Sequence, residues 1–244
     1  MEINWRIVVF LVEITLSGAV IIWLHTASRG QRPPFAFLFK LLGAGAASAL
    51  LAAFFELRYV LPQTAVSAPY LITYNLAVSL IEELAKYFVA VLLILHSRYL
   101  RKLSDGIFYM IVIGLGFSLL EDAFFLVNPQ TIAGYRLLSF YVHSGTSAII
   151  GYNMGRFHFD RASYYHLVWG LLGAISLHLA YNLTTYVYDA PLSGYLTFCL
   201  AFYISLQIFI LFRKAVIEEF HIEHIGRIRQ HTKLLHVTPG TGQI

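Results

Sequence analysis

The sequence predicts an all-α membrane protein, a polytopic helical bundle of about seven transmembrane helices with an outside N-terminus and a cytoplasmic C-terminus, followed by a cytoplasmic amphipathic C-terminal helix. Three observations lead there. Of the 244 residues, 58% are hydrophobic and 12% charged, and the mean hydropathy is +0.68, far from the averages of soluble domains. Seven apolar stretches approach the roughly 20 residues that one crossing requires. The basic residues are distributed unequally between the two sets of loops.

The stretches fall at about 5–25, 36–57, 70–95, 106–127, 137–155, 166–187 and 193–212. The first contains Glu13 and lacks both a basic leader and a small-residue cleavage site, so it reads as a retained span rather than a signal peptide. Breakers and charges mark the junctions. Arg29 to Pro34 ends the first stretch, Pro62 and Pro69 bracket the second loop, Pro129 follows the fourth stretch, and Asp189 with Pro191 separates the last two. Residues 1–212 are therefore expected to form one transmembrane bundle, and 213–244 a basic cytoplasmic tail. Within that tail, Arg213 to Val237 mixes Val216, Ile217, Phe220, Ile225 and Ile228 with Arg, Glu and His at helical spacing, which predicts a helix continuing from the seventh span, suited to anionic headgroups. Thr238 to Ile244 is expected to be disordered.

Orientation follows from charge. Loops after odd-numbered spans hold Arg29, Arg32, Lys40, Arg98, Arg101, Lys102, Arg156 and Arg161, and the tail adds Arg213, Lys214, Arg227, Arg229 and Lys233. The other side holds Arg6, Arg58 and Arg136, while Lys86 lies within a span. Positive charge accumulates on the cytoplasmic side, which sets the N-out, C-in reading. The same distribution argues against a nucleic-acid partner, because the net charge of +4 is spread between apolar segments rather than gathered on one face. The single cysteine, Cys199, sits inside an apolar run, so any metal would need His and carboxylate ligands.

Charged groups at bilayer depth cost roughly 2.5–3.5 kcal/mol each at a helix centre, so each needs a reason to be there. They are Glu13 in span one, Glu82, Glu83 and Lys86 in span three, Glu121 and Asp122 in span four, His143 in span five and His178 in span six, with Asn182 as a polar neutral neighbour. At 1.5 Å of rise per residue, Glu82 and Glu83 lie roughly 18–20 Å below the outer end of their helix and Glu121 about 9 Å below the outer end of its own. Most of the set falls between the midplane and the outer third of the bilayer. Gly114, Phe117 and Glu121 share one helical stripe; His143, Ser147 and Gly151 share another; Gly170, Ala174, His178 and Asn182 form a third. Small residues let helices approach closely in a bilayer, so these polar stripes are also the expected packing faces. Glu13 has no such company and is read as structural.

An acid pair, a second acid pair, two His and an Asn suit hydrolysis. A carboxylate takes a proton from water, His ligates a divalent ion or polarises the water, and Asn182 donates to an oxyanion. Lys86, one turn from Glu82, offers a counter-ion. The same residues would also suit a proton- or ion-coupled transporter or a non-catalytic seven-helix receptor. The chain shows no duplicated halves, as transporters usually do, and residues 193–212 contain no lysine for a retinal Schiff base.

Glu82-Glu83-Leu-Ala-Lys86 matches an EExxK motif, Gly116-Phe117-Ser-Leu-Leu-Glu121 matches GFxxxE, His143 through Gly151 forms a His-to-Gly helix, and His178-Leu-Ala-Tyr-Asn182 matches HxxxN. In this order on successive spans, the sequence resembles the PrsW-type intramembrane proteases, related to the CAAX-protease and bacteriocin-processing superfamily. The resemblance covers about Tyr70 to Val187, the expected protease core at about 70–187. It departs from the pattern at Asp122, where relatives commonly have Asn. It implies an intramembrane endopeptidase, metallo- or glutamate-type, acting on a membrane-anchored protein or peptide within a lipid membrane, the prokaryotic plasma membrane, with the site toward the extracytoplasmic half. The implied catalytic residues are Glu82, Glu83, Glu121, His143, His178 and Asn182. Glu121, His143 and His178 are the implied ligands of one divalent metal ion, zinc.

Overall fold

In the computed structural model the described residues are 5–27, 33–60, 68–127, 133–159, 164–185 and 190–236, with side chains described as far as Phe220. Among them the fold is entirely helical: α1 Trp5–Ala27, α2 Phe35–Tyr59, α3 Ala68–Leu93, α4 Leu103–Val127, α5 Ala133–Phe159, α6 Tyr165–Thr184 and α7 Ala190–His236. Seven helices thus stand where seven apolar stretches stand in the sequence. The junctions at Pro62, Pro129 and Asp189, and the segment Thr238 to Ile244, lie outside the described residues.

Five of the helices, α1, α2, α4, α6 and α7, are long and apolar enough in their own right to cross a membrane. The other two, α3 and α5, carry the polar groups. In α3, Asn75, Ser79, Glu82, Glu83 and Lys86 are all buried, and in α5 so are His143, Ser144, Thr146 and Ser147. Their polar faces point into the bundle, where protein rather than lipid surrounds them.

Helix α4 is the axis. Its apolar side chains from Ile107 through Leu115 are buried almost completely, and it packs against α5 on one side and α2 on another. Glycine makes both contacts possible. A Cβ on Gly116 would collide with the Leu42 carbonyl of α2, and one on Gly45 with the Ile113 carbonyl of α4. Toward α5, a Cβ on Gly106 would lie 2.6 Å from the Gly151 carbonyl oxygen, and one on Gly114 would lie 2.5 Å from that of His143 and 2.7 Å from Ser147 Oγ. The Gly114–Glu121 and His143–Gly151 stripes therefore pack face to face, the close approach that small residues permit. Large apolar side chains such as Trp23, Phe54, Phe88, Trp169, Phe198 and Phe209 point outward.

At the opposite end from the polar cluster, the α3–α4 connection and α7 lock together. Asp105 Oδ2 accepts hydrogen bonds from the backbone N–H groups of Arg101 and Lys102 at 3.0 and 3.1 Å. Glu219 accepts from the Ser104 N–H at 2.6 Å, using a donor that the first turn of α4 leaves without an intrahelical partner. Tyr152 donates to Glu218 at 3.0 Å. The segment after 212 is thus a continuation of α7 that packs on α4 and α5 in its first two turns.

Candidate active site

The residues at bilayer depth converge from four helices. Glu83 of α3 is fully buried, and its Oε1 accepts from Lys86 Nζ at 2.6 Å, His178 Nδ1 at 2.8 Å and Thr146 Oγ1 at 3.0 Å. One carboxylate oxygen therefore joins α3, α5 and α6. Lys86, also fully buried, lies 3.2 Å from His143 Nδ1 and 4.7 Å from the Phe117 ring centroid. The ammonium has donors only, so His143 Nδ1 accepts; the ring proton then sits on Nε2, which donates to Glu121 Oε2 at 2.8 Å. By the same reasoning His178 donates through Nδ1 to Glu83 and turns a lone pair on Nε2 toward Glu82, whose Oε2 lies 3.5 Å away. The two imidazoles stand edge to face with centroids 5.1 Å apart.

Glu82 is 6% exposed, and its Oε2 has no hydrogen-bond partner among the described residues. It lies 3.9 Å from His143 Nδ1. Successive residues on a helix point about 100° apart, which separates the acid doublet into two environments. Glu83 faces Lys86, Thr146 and His178, while Glu82 faces a cavity of about 230 Å³.

That cavity is lined by Glu82, Glu121, His143, His178 and Asn182, together with Glu56, Tyr74, Asn75, Ser139, Tyr181 and Thr185. Asn182 donates to Ser79 Oγ at 3.3 Å, which holds the amide at the wall. Five of the six residues singled out from sequence meet at this surface, and Glu83 stands directly behind it. Asp122 is buried but is not among the lining residues, since one residue along α4 from Glu121 points elsewhere. Glu13 is remote from the cavity; it accepts from Ser118 Oγ at 2.6 Å and ties α1 to α4.

Sequence reasoning passed over Glu56, Asn75 and Thr146. Each had a signal. Glu56 ends the stripe Gly45, Ala49, Ala52, Glu56 of α2, in which the three preceding residues are small and buried. Ser79 and Asn75 continue the Glu82 stripe one and two turns toward the start of α3. Thr146 lies one turn from His143.

Glu82, His143 and His178 each offer a ligand atom, all within 4.8 Å of one another. With Glu121 Oε2 at His143, two imidazole nitrogens and two carboxylates converge, a donor set suited to zinc. The buried, unpartnered Glu82 Oε2 is what such a site leaves when its ligand is not counted. A polytopic helical bundle that folds this group and a polar cavity into its apolar interior is that of a membrane-embedded hydrolase. The description PrsW family intramembrane metalloprotease belongs to the family model that matches residues 33–212, about three quarters of the chain, and the protein belongs to that family. No curated protein and no solved structure gives a significant match.

Proposed function

We propose that the protein is an endopeptidase that hydrolyses a peptide bond of a membrane-anchored protein or peptide inside the bilayer, in the extracytoplasmic half of a prokaryotic plasma membrane. The observation that carries this is the meeting of Glu82, His143 and His178 on the wall of a polar cavity otherwise enclosed by apolar helices. The side assignment rests on the lining residues. Glu56 lies at the end of α2, Tyr74 and Asn75 near the start of α3, Glu121 toward the end of α4, Ser139 and His143 near the start of α5, and Asn182 and Thr185 at the end of α6. All belong to the end of the bundle whose loops are poor in Lys and Arg, the extracytoplasmic end by the positive-inside rule.

The chemistry follows from which groups are already engaged. A catalytic zinc site takes three protein ligands and leaves one position for water or substrate. His143, His178 and Glu121 would hold the ion, which would supply Lewis-acid polarisation; to ligate through Nε2, His143 would shift the proton it now shares with Glu121 to Nδ1, leaving Lys86 to Glu83 alone. Glu82, the carboxylate with an unengaged oxygen, takes the proton from the attacking water. The water oxygen bonds to the scissile carbonyl carbon; the C–N bond then breaks, and the proton held by Glu82 passes to the leaving amine. Asn182 donates its amide hydrogens to the oxyanion. Glu83 and Lys86 touch no substrate. Glu83 fixes the rotation and tautomer of His178 by accepting from its Nδ1–H, as partners behind metal-ligating His do, and Lys86 neutralises Glu83. Anti-sigma factors and small peptide precursors, the substrates implied by the family resemblance, fit this reading.

The test uses purified protein in liposomes with a single-pass substrate, following cleavage and bound metal together. Glu82→Gln is expected to abolish cleavage while retaining the ion, and His178→Ala to lose both. Unchanged cleavage in both variants refutes the proposal. Loss of the ion in Glu82→Gln interchanges the roles of Glu82 and Glu121.

A further inference from the structure

Glu56 has no part in the hydrolysis above, yet it is a carboxylate on the wall of the same cavity. Its Oε1 is buried and has no hydrogen-bond partner among the described residues. Among the described residues the cavity presents three carboxylates, Glu56, Glu82 and Glu121, and no Lys or Arg. Two described cations of the same helices have contacts of their own. Lys86 is bonded to Glu83 and His143 behind the wall, and the Arg58 guanidinium lies over the Tyr59 ring, 5.5 Å from its centroid. Glu82, on the same wall, is 6% exposed, and its Oε2 likewise has no hydrogen-bond partner among the described residues.

An apolar recess lies alongside, between α2 and α3, lined by Leu51, Phe55, Ile81, Leu84, Ala85 and Phe88. Its walls are α2 and α3, the helices that also carry Glu56 and Glu82.

We infer that Glu56 is a specificity-determining residue, whose carboxylate accepts hydrogen bonds from a lysine or arginine of the substrate close to the scissile bond. The inference rests on the protease reading and adds to it a substrate class: membrane segments with a basic residue at their extracytoplasmic edge. Because positive residues are sparse on that side of membrane proteins, such a contact discriminates among the many segments that apolar packing alone would admit. A charge-assisted hydrogen bond in a desolvated site supports discrimination of at least about tenfold.

The experiment places Lys, Gln or Glu in turn at each of several positions flanking the scissile bond of one substrate, and measures kcat/KM for wild type, Glu56→Gln and Glu56→Lys in liposomes. Wild type is expected to prefer Lys over Gln by at least about tenfold at one position. Glu56→Gln should lose that preference, and Glu56→Lys should prefer Glu there. Each preference is a ratio within one preparation, so differences in folded yield cancel. A wild type that cleaves the Lys and Gln substrates equally overturns the inference and leaves the protease reading standing. A Lys preference that survives in Glu56→Gln also overturns it. Absence of cleavage of every substrate by wild type removes the protease reading and this inference with it.

Discussion

Replacing Lys86 with Met tests whether the buried Glu83 carboxylate depends on a counter-ion. The side chain is fully buried, as is Glu83, and their 2.6 Å contact is one of three interactions on Glu83 Oε1. Met keeps the length and apolar stem but removes the charge, leaving Glu83 with Thr146 and His178. Breaking a buried pair from one side costs about 3–5 kcal/mol, because the remaining charge is uncompensated. In a protein of this size that corresponds to a melting-temperature loss of about 6–20 °C. Glu83→Gln alone should also destabilise, whereas Glu83→Gln with Lys86→Met removes both charges and should lose about 0.5–3 kcal/mol less than the sum of the single losses. The measurement is thermal unfolding of detergent-solubilised wild type, both single variants and the double variant. Additive losses, or a Lys86→Met variant as stable as wild type, would refute the account of Lys86 as the counter-ion that permits Glu83 to be buried.

Two further substitutions separate catalysis from packing. Asn182→Ala removes a polar side chain from the cavity wall while leaving the Glu82, His143 and His178 group in place; it should lower kcat by about 10²–10³ with little change in bound metal, as loss of an oxyanion donor does, measured by substrate titration in liposomes. Gly116→Val places side-chain atoms where the Leu42 carbonyl now lies, so it should push α2 from α4 and cost about 1–3 kcal/mol, read as a fall in melting temperature.

The helices were legible because lipid imposes a strong pattern: a run of apolar residues of the right length can be read without knowing its neighbours. The expected stretch at 70–95 corresponds to α3 at Ala68–Leu93, and that at 137–155 to α5 at Ala133–Phe159. The stretch at 193–212 and the continuing helix expected over Arg213 to Val237 together correspond to α7 at Ala190–His236, because apolarity ends where the helix leaves the lipid but the backbone hydrogen bonds do not. The cluster was legible for a related reason. Glu82, Glu83, His143 and His178 are far enough from helix ends to be costly unless they meet one another. Glu56 escaped notice because an acidic residue near a helix end is ordinary at an interface; only the packing of α2 against α3 and α4 places it at the cavity. Asp122 shows the converse. Sequence places it beside Glu121, but adjacency in a helix means divergence in space.

Two helices of the site, α3 and α5, are also the two that fall short as spans on their own. Isolated in lipid, α3 would expose Glu82, Glu83 and Lys86, and α5 would expose His143 with several hydroxyl groups. Assembled, the same groups satisfy one another: Lys86 donates to Glu83 and His143, Thr146 and His178 donate to Glu83, and His143 donates to Glu121. The glycine contacts of α4 bring its backbone close enough to α5 for this web to close. What stabilises α3 and α5 in the bundle is therefore the network that orients the two imidazoles. A polar site of this kind cannot be removed from the fold as an ornament, because deleting its charges one at a time leaves others unpaired in an apolar interior. The acid doublet expresses this division within two consecutive residues: Glu83 is bound into the structure through one oxygen, and Glu82, one step along the helix, lines the cavity with an oxygen that has no hydrogen-bond partner among the described residues.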